Sequence, residues 1–106
     1  MNSADTVTDV LGHFIGGSDV SSSGRSCDVF DPATGKVTKQ VALADVDVLE
    51  QAIFAAQTAF PAWRHTSPQK RAPILFRFKQ LLEEHADEIC QLITSEHGKV
   101  LDDARG

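Results

Sequence analysis

Cys27-Asp28-Val29-Phe30-Asp31-Pro32-Ala33-Thr34-Gly35-Lys36-Val37-Thr38-Lys39-Gln40-Val41-Ala42-Leu43 reads as two strands around a tight turn. Asp31 can bond the backbone two residues on, Pro32 presets φ at the next position, and Gly35 tolerates the positive φ needed before the return strand. The apolar Val37, Val41 and Leu43 mark that return strand. A glycine here could also suggest phosphate binding. Asp31 to Gly35, however, lacks the glycine spacing and the helix start of a P-loop or a dinucleotide fingerprint.

Upstream, His13-Phe14-Ile15 reads as a short strand ended by Gly16-Gly17, and the serine-rich stretch from Ser18 to Ser26 as a loop or a hairpin connection. Residues 1–12 show no sustained periodicity and are expected to form a flexible N-terminal tail. Residues 13–106 are expected to form one segment.

Downstream the apolar period changes to that of helices. Asp45 is a candidate N-cap, followed by Leu49, Ala52, Ile53, Ala56, Phe60 and Trp63 at intervals of three and four. Pro61 is expected to end or kink this helix near Phe60, leaving Trp63 on the exit turn. Ser67-Pro68 has the form of a second helix start, with Ser as N-cap and Pro at the first helical position. Ile74, Leu75, Phe78, Leu81 and Leu82 supply its apolar side, and Pro73 should kink or loosen its first turn. A third helix is expected from about Ala86 to His97, with Ile89, Cys90, Leu92 and Ile93 inward and Gly98 just past its end. Residues from Lys99 to Gly106 open a fourth. The fold class is α+β: a β-hairpin region followed by three to four helices.

Composition excludes several functions. The 106 residues carry 15 acidic against 10 basic residues, a formal net charge of -5, and no basic block longer than Lys70-Arg71. Phosphate contacts need a clustered positive face, so no nucleic acid is expected. No apolar run approaches the roughly 20 residues that span a bilayer, so no membrane partner is expected either. Met1 to Gly12 contains no Lys or Arg, unlike a signal or transit peptide, which points to a cytoplasmic protein.

The chemically capable residues form no constellation. Cys27 and Cys90 lie far apart, without metal or disulfide spacing, and read as reduced, mostly buried thiols. A nucleophilic role would need a base or a helix N-terminus beside one of them. His13, His65, His85 and His97 lack the short paired spacing of metal ligands. Glu83-Glu84 and Asp102-Asp103 are helix neighbours that point in different directions and cannot share a substrate. Phe60 and Trp63 could stack a ligand, but aromatics on an apolar helical stripe more often serve a core.

The order of the motifs resembles the opening of the aldehyde dehydrogenase superfamily. The resemblance is carried by Phe14-Ile15-Gly16-Gly17, Val29-Phe30-Asp31-Pro32-Ala33-Thr34-Gly35 and Ala55-Ala56-Gln57-Thr58-Ala59-Phe60-Pro61-Ala62-Trp63. It continues through Arg71, Ile74-Leu75, Leu81-Leu82, Ser95-Glu96-His97-Gly98-Lys99 and Asp103-Ala104-Arg105-Gly106. Within the superfamily, Ala59 to Trp63 and Ile93 to Lys99 look most like the CoA-acylating methylmalonate-semialdehyde dehydrogenases.

The resemblance implies oxidation of a semialdehyde by NAD through a cysteine thiolate, with release of the acyl group to coenzyme A. It implies a homodimer or homotetramer, and a place for this segment within the α/β NAD-binding domain of the full-length protein. The nucleophilic Cys, the Asn of the oxyanion hole and the residues that hold NAD belong to later segments of the family. Neither Cys27 nor Cys90 matches the nucleophile motif, so no catalytic, cofactor-binding or metal residue is expected here. Some members hold a monovalent cation through backbone carbonyls near the strand containing Val29-Phe30. The expected role is that of an inactive, structural N-terminal fragment whose partner is the remainder of the dehydrogenase chain. An extensive exposed apolar surface follows from that role. The alternative is a free-standing interaction module that docks on full-length subunits.

Overall fold

A computed structural model describes residues 9–21 and 24–106. Its elements are β1 (Val10–Leu11), β2 (His13–Ile15), β3 (Ser18–Val20), β4 (Ser26–Phe30), β5 (Val37–Ala42), α1 (Val46–His65), α2 (Pro68–Glu84), α3 (Ala86–His97) and α4 (Leu101–Arg105). The α+β class follows directly. Two compact units divide the chain, Met1–Thr58 and Ala59–Gly106, with the boundary inside α1.

In the first unit, β4 and β5 form the antiparallel hairpin, from Ser26 opposite Ala42 to Phe30 opposite Val37. Thr38 is the extra residue of a bulge, and its hydroxyl donates to the Val29 carbonyl at 3.2 Å. The turn between the strands satisfies its own amides. Ala33 N–H donates to Asp31 Oδ1 at 2.8 Å, Gly35 N–H to the Asp31 carbonyl at 2.7 Å, and Lys36 N–H to Thr34 Oγ1 at 3.3 Å. Gly35 sits at φ +71°, in the left-handed region where a side chain would be strained.

Two short strands escape the sequence reading. The stretch from Ser18, read as a loop or a hairpin connection, contains β3, which returns against β2 with Phe14 opposite Asp19. The stretch read as tail ends in β1, which runs parallel to β5 with Val10 opposite Gln40 and Leu11 opposite Val41. Residues 1–8 of that tail lie outside the described residues. Both strands are too short to show alternation, and their partners are set by pairing rather than by local pattern. Gly12, between β1 and β2, faces the backbone of β3: a Cβ there would stand 2.6 Å from the Val20 carbonyl oxygen.

Asp45 caps α1 as expected, accepting the Val48 amide at 2.9 Å on Oδ1. Pro61 does not end the helix, which continues to His65. The loss is confined to one ladder bond near the helix end. Beyond it the turn is closed by the Thr66 hydroxyl on the Ala62 carbonyl at 2.7 Å and by His65 Nδ1 at 2.7 Å from the Pro61 carbonyl.

In the second unit, α2 begins at Pro68, but Ser67 caps it with extended backbone (ψ 153°) and no side-chain bond. Its carbonyl accepts the Lys70 and Arg71 amides, both at 3.0 Å. Pro73 remains inside α2, near an end where few ladder bonds depend on it. Gly98 ends α3 at φ 85°, its N–H bonded to the Thr94 carbonyl at 2.8 Å. Cys90 of α3 is buried, whereas Leu92, expected inward, is exposed.

Burial is sparse. The buried hydrophobic residues among those described are Ala42, Val48 and Cys90, while Phe14, Phe54 and Phe76 are each 70% or more exposed. Leu49, Ile53 and Phe60, the stripe expected to make the apolar face of α1, are also exposed. A folded core normally encloses such side chains.

Candidate functional site

The residues singled out for chemistry are not brought together. Cys27 lies exposed on β4 and Cys90 buried on α3. The exposure of Cys27 corrects the expectation of two mostly buried thiols: β4 has β5 on one side only, and Ser26, Cys27 and Asp28 are all exposed. No group of three His, Cys, Asp or Glu side chains among the described residues could hold a metal ion.

The histidines serve local bonds or stand apart. His65 meets the Pro61 carbonyl, and His85 Nδ1 lies 3.1 Å from Glu88 Oε2. His13 Nε2 on β2 is closed to solvent without a partner. The neighbouring carboxylates Glu83 and Glu84 separate, as their helical positions require: Glu83 pairs with Lys79, and Glu84 accepts from Gln80 Nε2 at 3.0 Å. Asp102 and Asp103 fall in the first turn of α4, where acidic groups favour the helix terminus.

Arg105 crosses from α4 to Asp87 at the start of α3, with Nη2 2.6 Å from Oδ1. The hydrogen bond and the charge of Asp87 hold the guanidinium above the ordinary arginine range. Both groups are exposed, so the pair positions α4 without forming a desolvated charged site.

Among the described residues, open clefts indent the surface of each unit. One, of about 440 Å³, lies in the first unit against Val10 to Phe14 and Asp19 to Ser21. The other, of about 360 Å³, lies in the second unit and is lined by Trp63, Pro68, Arg71, Ala72 and Leu75. In it the Arg71 guanidinium sits 5.9 Å from the centroid of the Trp63 ring, within the range of a cation–π contact. The sequence places both residues but not their contact. Eight positions apart across a break between helices, they obey no helical or strand period.

A dinucleotide needs backbone amides free to receive its pyrophosphate. The Asp31–Gly35 turn spends the amides of Ala33, Thr34, Gly35 and Lys36 on its own oxygens. The turn therefore does not fit NAD. The described residues instead supply a hairpin, a helix-capping carboxylate and helices with large exposed apolar side chains.

Residues 20–106 match the aldehyde dehydrogenase family, and the chain belongs to it. It is 55% identical over 96 residues to a malonate-semialdehyde dehydrogenase of Pseudomonas aeruginosa, covering 91% of this chain and 19% of that protein. Among solved structures, it resembles a methylmalonate-semialdehyde dehydrogenase from Oceanimonas doudoroffii at 57% identity and a TM-score of 0.90. That likeness covers 92% of this chain and 20% of the other. Aldehyde dehydrogenase 21 from Physcomitrella patens, solved with the reaction product succinate, matches at 30% identity and a TM-score of 0.81, again over 92% and 20%. The chain thus spans about one fifth of the length of the relatives it matches.

Proposed function

We propose that this chain is the N-terminal structural segment of an NAD-dependent semialdehyde dehydrogenase, acting on malonate or methylmalonate semialdehyde and passing the acyl group to coenzyme A. The observation that carries the reading is the 55–57% identity, over more than nine tenths of the chain, to relatives named for those substrates. The segment takes no part in the chemistry; its helices supply apolar surface for the rest of the enzyme. A related structure from Sinorhizobium meliloti 1021, at 45% identity, is complexed with NAD, which supports NAD as the oxidant.

The complete enzyme is a cytoplasmic homodimer or homotetramer. No helix among the described residues is long and apolar enough to cross a membrane. The test is NADH formation from malonate semialdehyde by the complete gene product, with and without coenzyme A. CoA-dependent turnover is expected. Turnover indifferent to CoA would transfer the acyl group to water and overturn the acylating part of the reading.

A further inference from the structure

We draw no further inference here: the strongest candidate, the exposed apolar side of α2 that carries Ile74, Leu75 and Phe78, is an unpartnered helix face, and nothing in the structure shows what covers it.

Discussion

Arg105 Nη2 and Asp87 Oδ1 stand 2.6 Å apart, joining residues eighteen positions distant and tying the short α4 to the first turn of α3. A five-residue helix has little stability of its own, so α4 depends on this bond and on packing against α3. Arg105→Gln should speed amide hydrogen exchange throughout α4 while leaving α2 unchanged. Added salt should speed the same exchange in the parent chain, because an exposed pair is screened. With its ionisation raised above the ordinary arginine range, the guanidinium keeps its charge at neutral pH and loses it only in strong alkali. Exchange protection of α4 should therefore not respond to titration of Arg105 near neutrality.

Asp45 holds the start of α1 through the Val48 amide, and Val48 is one of the few buried residues. Asp45→Ala should cost about 1 kcal/mol of stability, and Asp45→Asn or Asp45→Ser much less, as read by denaturant midpoints.

Gly12 has no room for a side chain, since a Cβ would lie 2.6 Å from the Val20 carbonyl oxygen. The atom in the way is backbone, so it yields only if β3 moves. Gly12→Ala should destabilise the first unit by about 2 kcal/mol or more. A melting temperature equal to that of the parent would contradict this placement.

The two cysteines should separate chemically. Cys27 is exposed on β4, whereas Cys90 is 4% exposed on α3. Iodoacetamide applied to the folded 106-residue chain should label Cys27 first, with Cys90 following only on unfolding. Peptide mass mapping reads the order.

The features legible in the sequence were those with a local cause. Asp31, Pro32 and Gly35 carry the chemistry of their own turn, Asp45 caps its own helix, and Gly98 adopts the left-handed conformation that ends α3. The missed features depend on distant partners. β1 is a strand because Val10 meets Gln40, and Leu92 is exposed despite lying on the expected inward side of α3. Pro61 misled for a different reason: a helix tolerates the loss of one ladder bond near its end. As for the candidate site, the residues alone indicated no catalytic constellation. The family came from the order of whole motifs, which encodes ancestry where no single side chain encodes chemistry. The contact between Arg71 and Trp63 lay beyond both kinds of reading.

The role proposed for this chain is to support a dehydrogenase without performing its chemistry. The most direct measurement sets the intact mass and NADH formation of the natural gene product beside those of the 106-residue chain, with malonate semialdehyde, NAD and coenzyme A. A product several times heavier that forms NADH is expected, and a 106-residue chain that forms none. NADH formation by the 106-residue chain alone would contradict it.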